Sequence, residues 1–147
     1  MTTEATLHSV HAGDPRILIV DDERGPRESL RMILSSNYDV SIAENGAEAL
    51  ELLRTDTIDL VTVDLNMPGM KGDELMRTIR AEFPQTEIII ITGCGSIETA
   101  VQGIRHGVFD YLTKPFDVVQ VSASVERALD RRESRTRMAS FLEDISH

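Results

Sequence analysis

Five short apolar runs along the chain alternate with segments that have helical periodicity. The runs are Ile17 to Val20, Val40 to Ala43, Leu60 to Val63, Ile88 to Ile91 and Tyr111 to Leu112. Such an alternation is typical of a parallel sheet whose strands are connected by helices. The third and fourth runs are nearly continuous in apolar residues, as expected of strands that helices cover on both faces. The sequence therefore predicts an α/β fold with five parallel strands, these two being central.

The intervening segments also carry signals for where helices begin and end. Asn45 and Ser96 precede two of them and are expected to cap them, because short polar side chains accept hydrogen bonds from the first free backbone N–H groups. Pro84 is expected to stop the third helix and Gly107 the fourth. A last helix is predicted from Asp117 onward, where apolar residues recur on one face.

The 147 residues have the length of one domain with a short remainder. We expect residues 1–15 to be a flexible N-terminal leader, residues 16–130 to be the domain, and residues 131–147 to be a helical extension. The charged residues from Asp130 to Arg137 are expected to form a solvated helix face. The chain is either a stand-alone domain or a fragment of a longer protein in which the helix after Asp117 leads into a part that this sequence does not encode.

Composition limits where the protein works and what it binds. A net charge of −10 opposes direct binding to nucleic acid. No apolar run approaches the ~20 residues that a membrane helix needs, and the first residues do not resemble a signal peptide. A single cysteine, Cys94, cannot form an intrachain disulfide. We therefore expect a cytoplasmic protein with no membrane contact.

Polar side chains follow four of the five predicted strands. Asp21 and Asp22 follow the first strand, Asp64 the third, Thr92 the fourth and Lys114 the fifth. Because the carboxyl ends of parallel strands meet at one edge of a sheet, we expect these side chains to lie close together. Three carboxylates at one point repel each other, and a hard divalent cation with oxygen ligands relieves that repulsion. The sequence therefore predicts a Mg²⁺ site that leaves room for a phosphoryl group.

Four separated motifs resemble those of the receiver domain of bacterial two-component response regulators. They are Asp21-Asp22, VDLNMPGM at 63–70, Thr92-Gly93 and Lys114-Pro115-Phe116. Together they cover roughly residues 16–130, and the joint match is far more specific than any one motif. The resemblance implies a flavodoxin-like three-layer α/β/α fold with a five-stranded parallel sheet in the order 2-1-3-4-5. The sequence of residues 110–116 most resembles the corresponding sequence in regulators of the nitrogen-control class.

The resemblance also implies a role for each residue of the site. Asp64 would accept a phosphoryl group from a phosphohistidine on a sensor histidine kinase. Mg²⁺ would be held by Asp21, Asp22, Asp64 and the backbone carbonyl of Asn66, while Lys114 would contact the phosphoryl oxygens. Phosphoryl transfer needs such cations, because negative charge accumulates on the equatorial oxygens. The chain would not be an enzyme beyond catalysing its own phosphorylation and dephosphorylation.

Thr92 and Tyr111 are the switch residues that the resemblance implies. The Thr92 hydroxyl would move toward the phosphoryl group, and the Tyr111 ring would rotate into the vacated space. The surface formed by helix 4, strand 5 and helix 5 would then change, either for a phosphorylation-dependent homodimer or for an effector domain or protein.

Three further positions have expected roles through the same resemblance. The peptide bond before Pro115 is expected to be cis, which is accessible only because residue 115 is proline. Asn66 and Cys94 occupy positions that affect how water reaches the phosphoryl group. Because a thiol orients water poorly, we expect the aspartyl phosphate to live longer than in receivers with Glu or Gln in place of Cys94.

Other interpretations account for parts of this pattern. Singly, Asp21-Asp22 could cap a helix and Asp64 could be a turn residue. A phosphorylation-independent receiver-like interaction module would be expected to lack an acidic or lysine position. A phosphohydrolase resembling the haloacid dehalogenase group would place its nucleophile after the first strand, within Asp-x-Asp. A flavin-binding protein would need a Ser/Thr/Gly-rich loop there. The joint placement of the motifs favours the phosphoacceptor.

Overall fold

The computed structural model describes residues 13–67, 69–93 and 95–146. Cys94 and the predicted leader up to residue 12 lie outside the described residues. The strands are β1 Arg16–Val20, β2 Asp39–Ala43, β3 Leu60–Val63, β4 Glu87–Thr92 and β5 Asp110–Thr113. The helices are α1 Arg24–Leu34, α2 Gly46–Thr55, α3 Gly72–Glu82, α4 Ile97–Arg105 and α5 Val118–Ser146.

The five strands form one parallel sheet in the order β2-β1-β3-β4-β5. This confirms the predicted flavodoxin-like order. The strands β3 and β4 are internal, as their apolar sequences predicted, and β1 is internal as well. Strand order reverses between β1 and β3, which leaves a crevice at their carboxyl ends. The sheet therefore creates a site at the strand ends where the sequence places its acidic residues.

Alternate residues of the central strands point to opposite faces of the sheet, and each face has its own core. In β1, Leu18 and Val20 belong to one core with α2 and α3, whereas Ile17 and Ile19 belong to the other with α1 and α5. In β4, Ile88 and Ile90 likewise alternate with their neighbours. Burial on both faces explains why these strands are apolar at most positions.

Two predicted helix caps are confirmed. The Asn45 side chain accepts a hydrogen bond from the backbone N–H of Glu48 at 2.9 Å. Ser96 caps α4 in a reciprocal arrangement with Thr99, in which each residue's hydroxyl accepts from the backbone N–H of the other. After α4 the chain turns at Gly107, whose φ of 68° suits a residue without a Cβ. The Ser96 cap fixes the start of α4 a few residues beyond the end of β4.

Helix α5 runs unbroken to Ser146, and the predicted domain boundary at residue 130 falls inside it. The expectation of a solvated face from Asp130 to Arg137 is wrong for Arg131 and Arg132, which are half-buried, whereas Arg135 is exposed and still reaches the sheet. Arg131 and Arg135 both bind the fully buried carboxylate of Glu87 at the start of β4, and Arg132 pairs with Asp59 at 3.0 Å. These ion pairs anchor the first turns beyond residue 130 to the sheet. Within the described ranges, no helix is long and apolar enough to cross a bilayer.

Candidate phosphoacceptor site

Asp64 lies at the carboxyl end of β3 and is only 3% exposed. Its backbone N–H donates to the carbonyl of Val20 at the end of β1, at 3.0 Å. Its Oδ1 accepts hydrogen bonds from the Asn66 N–H at 3.0 Å and from the Thr92 hydroxyl at 2.9 Å. The carboxylate is therefore held in one orientation by groups in the loop after β3 and on β4.

The Lys114 ammonium lies between two buried carboxylates. Its Nζ is 2.7 Å from Asp21 Oδ2 and 2.8 Å from Asp64 Oδ2, and Glu23 Oε1 is 3.2 Å away. Burial alone would lower the pKa of Lys114, but its hydrogen bonds to Asp21 and Asp64 and their negative charges outweigh burial and raise it. Lys114 is therefore a permanent cation at this edge. The peptide bond that follows it, to Pro115, is cis.

Four carboxylates form a group that we call the acidic cluster: Asp21, Asp22, Glu23 and Asp64. One oxygen of each lies within 4.8 Å of the others. Burial raises the pKa of Asp21, although hydrogen bonds from Lys114 and Glu23 oppose this shift. One ammonium thus faces four closely spaced acidic groups. The cluster has the oxygen donors and the excess negative charge that a hard divalent cation requires.

Asn66, Tyr111 and Cys94 are the remaining predicted residues, and the structure describes contacts for the first two. Asn66 is exposed and contacts Asp64 through its backbone N–H. Tyr111 is half-buried beside α4, where its hydroxyl is 2.8 Å from Thr99 Oγ1. A Cβ on Gly95 would stand 2.6 Å from that hydroxyl, so the missing side chain makes room for the ring. Cys94 lies outside the described residues.

The loop after Asp64 is packed against the first residue of α3. A Cβ on Gly72 would approach Leu65 Cα to 2.8 Å and its Cδ2 to 2.6 Å. Since the nearest backbone cannot move without disturbing the residue that follows Asp64, we expect Gly72→Ala to lower the free energy of unfolding by about 1–3 kcal/mol. Urea denaturation measures this. Gly25→Ala is the matched control, because nothing lies within 4 Å of its added Cβ, and an unchanged Gly72→Ala midpoint would contradict the expected clash.

The arrangement of these strand-end residues can be compared with known proteins. The family model for the response regulator receiver domain matches residues 17–126. The chain belongs to this family. The MprA response regulator of Mycolicibacterium vanbaalenii is 43% identical over 118 residues, which are 80% of this chain and 51% of that protein. MprA of Mycobacterium ulcerans is 42% identical over 118 residues, covering 80% and 50%. The chain thus spans about half the length of these relatives.

Solved receiver structures agree with the fold. A CheY-like receiver domain protein from Methanospirillum hungatei superposes with a TM-score of 0.79 at 30% identity, covering 82% of this chain and 98% of that one. NtrX from Brucella abortus superposes with a TM-score of 0.82 at 30% identity, covering 87% of this chain and 30% of that one. The likeness to NtrX accords with the nitrogen-control resemblance of residues 110–116. Receiver domains are in general signalling modules rather than enzymes.

Two members of this receiver site were missed in the sequence. Glu23 was not assigned to the acidic cluster, although it directly follows Asp21-Asp22 and its carboxylate reaches Lys114. Its position directly after Asp21-Asp22 could have indicated that it belongs to the same group of carboxylates. Arg27 was also missed, although its guanidinium is buried behind the same turn. In the sequence it is one of several charged residues in a short helix, and nothing local distinguishes it.

Proposed function

We propose that this receiver domain accepts a phosphoryl group on Asp64 from a phosphohistidine of a sensor histidine kinase. The observation that carries the proposal is the environment of the Asp64 carboxylate, with the Lys114 ammonium on one oxygen and the Thr92 hydroxyl on the other. An oxygen of Asp64 attacks phosphorus and forms an O–P bond while the P–N bond breaks. The electron pair stays on the imidazole nitrogen, which takes up a proton.

The acidic cluster is the proposed binding site for Mg²⁺. Asp21, Asp22 and Asp64 would hold the ion together with the backbone carbonyl of Asn66. Four carboxylates against one ammonium leave the excess negative charge that such an ion would balance. When bound, Mg²⁺ supplies positive charge to the equatorial oxygens of the phosphoryl group. Lys114 supplies a second positive charge to the same oxygens, and Asp64 is oriented by its hydrogen bonds for in-line attack.

The phosphoryl group would then act as a switch. It adds negative charge and acceptor oxygens beside Thr92 and Lys114, and we propose that Thr92 follows the new acceptor while Tyr111 adjusts against α4. The contact between Tyr111 and Thr99 supports this coupling, because it joins β5 to the first turn of α4. Loss of that contact would free the start of α4, which Ser96 and Thr99 cap.

The surface that responds is proposed to consist of α4, β5 and the start of α5. Ile97 and Ile104 of α4 are 86% and 75% exposed, and Val119 of α5 is 74% exposed. Exposed apolar side chains of this kind favour protein contacts. We propose that they meet either a second copy of the chain or an effector, with the domain over residues 16–130 and the helix beyond residue 130 as the connection. The net charge of −10 supports a cytoplasmic protein partner over nucleic acid.

The proposal is tested by small-molecule phosphoryl donors. Phosphoramidate carries the same kind of P–N bond as phosphohistidine, and acetyl phosphate is a second donor. Intact mass spectrometry should detect one phosphoryl adduct when either donor is added with Mg²⁺, and the adduct should fall to a small fraction when EDTA replaces Mg²⁺. If neither donor yields an adduct in Mg²⁺, the phosphoacceptor function is wrong and an interaction module independent of phosphorylation takes its place.

A further inference from the structure

Arg27 carries a buried charge that the proposed reaction does not use. It lies in α1 and is only 6% exposed. Burying a guanidinium is costly unless its N–H groups are paired, and an apolar side chain would cover the same space at lower cost. Within the described part of the chain, its Nε has no hydrogen-bond partner. The contacts that hold this charge therefore indicate what it does.

Both contacts of the Arg27 guanidinium lead to the carboxyl ends of β1 and β2. Its Nη1 donates to the backbone carbonyl of Asp21 at 3.0 Å. Its Nη2 lies 3.4 Å from Oε1 of Glu44, whose side chain is 62% exposed. The first contact is buried and short, whereas the second is longer and open to solvent, so the carbonyl of Asp21 is the principal partner.

That carbonyl belongs to the peptide group that joins Asp21 to Asp22. A peptide group is planar, so fixing the carbonyl of Asp21 also fixes the N–H of Asp22 and the direction of the chain after the end of β1. The preceding peptide group is fixed by the Asp21 N–H, which donates to the Ala43 carbonyl at 3.1 Å. The following turn is fixed by the Glu23 N–H, which donates to Asp21 Oδ1 at 2.9 Å. Arg27 supplies the middle restraint of the three.

Asp22 depends most on this restraint. Asp21 is also held through its side chain by Lys114. Asp22 is exposed, so the position of its carboxylate in the acidic cluster depends on the backbone conformation of the turn. We propose that Arg27 is a positioning residue, which aims the Asp22 carboxylate at the divalent cation by holding the Asp21 carbonyl. This inference rests on the proposed function, in which the acidic cluster binds Mg²⁺.

Simple electrostatics predicts the opposite effect of removing Arg27. A positive charge next to a cation site repels the ion, so its loss should strengthen binding if charge were all that mattered. Loss of the restraint should weaken binding instead, because partners that orient metal ligands are typically worth 10–100-fold in affinity. The sign of the change therefore separates positioning from charge.

The test compares three variants by calorimetric titration with Mn²⁺ as the probe, well below each unfolding temperature. Arg27→Met should bind Mn²⁺ at least about tenfold more weakly than the wild type. Arg24→Met should bind equally well or more tightly, because Arg24 is exposed in the same helix and carries the same charge. Arg27→Lys keeps the charge and one donor nitrogen, and it should recover part of the loss. If Arg27→Met does not fold, Arg27→Gln replaces it.

A second readout needs no metal. In EDTA, amide hydrogen exchange at Asp22 and Glu23 should be faster in Arg27→Met than in Arg24→Met, since only the former frees the turn. Unchanged exchange together with unchanged or tighter Mn²⁺ binding in Arg27→Met would overturn the positioning role. A wild-type protein that binds no Mn²⁺ would instead overturn the proposed Mg²⁺ site, and the exchange comparison would then decide on Arg27 alone.

Discussion

Replacing Asp64 by asparagine is expected to abolish phosphoryl acceptance, with a loss of at least about a thousandfold in the rate of adduct formation. The substitution keeps the shape of the side chain, and its amide oxygen can still accept the hydrogen bonds that Asn66 and Thr92 donate to Oδ1, although its N–H₂ group replaces the oxygen that pairs with Lys114. A neutral amide oxygen, however, is a far weaker nucleophile than a carboxylate. Incubation with phosphoramidate and Mg²⁺, followed by intact mass spectrometry, measures the loss.

Stability separates a lost nucleophile from a damaged fold. Asp64→Asn loses the ion pair with Lys114 but relieves repulsion among four closely spaced carboxylates, so its unfolding temperature in EDTA should stay close to that of the wild type. Asp144→Asn, which changes an exposed carboxylate near the end of α5, should form the adduct at the wild-type rate. An adduct that persists on Asp64→Asn would assign the phosphoacceptor to another side chain, with Asp22 the next carboxylate to replace.

Much of this fold could be predicted because its strands are buried on both faces. Continuous apolar sequences such as Ile88 to Ile91 are typical of strands that helices cover on both sides, and the caps Asn45 and Ser96 mark where helices begin. Strand ends were predicted less well. Strand β5 extends one residue beyond the predicted run on each side, to Asp110 and Thr113, because backbone N–H and C=O groups make the strand pairing and an apolar run does not mark where it ends.

The site could be predicted as far as its residues lie at strand ends. Parallel topology alone brings Asp64, Thr92 and Lys114 to one edge, whatever the details of packing. Contacts between side chains that are far apart in sequence and do not lie at strand ends could not be predicted in this way. The charges of Arg131 and Arg135 look solvated in sequence, and only the sheet reveals the buried carboxylate of Glu87 that they bind. Arg27 was missed for a different reason, because its partner is only six residues away but is the backbone carbonyl of Asp21, which no pattern of side chains marks.

Replacing Lys114 by methionine is expected to move two measured quantities in opposite directions. The ammonium lies among the oxygens that a divalent ion would use, within 2.8 Å of both Asp21 and Asp64. Its removal should raise Mn²⁺ affinity on the order of tenfold, because the ion no longer competes with a fixed positive charge. The rate of phosphoryl transfer from phosphoramidate should nevertheless fall about 10²–10³-fold, because the transition state loses a cation on its phosphoryl oxygens.

The other lysine of the chain provides the control. Lys71 is exposed before α3, and Lys71→Met should leave both Mn²⁺ affinity and transfer rate unchanged. A parallel fall of both quantities in Lys114→Met would show that Lys114 only supports the fold. The contrast with Arg27→Met is informative, since each variant removes one positive charge near the acidic cluster. Lys114 contacts the carboxylate oxygens themselves and opposes the ion, whereas Arg27 holds the backbone behind them and aids it, so the two losses should change Mn²⁺ affinity with opposite signs.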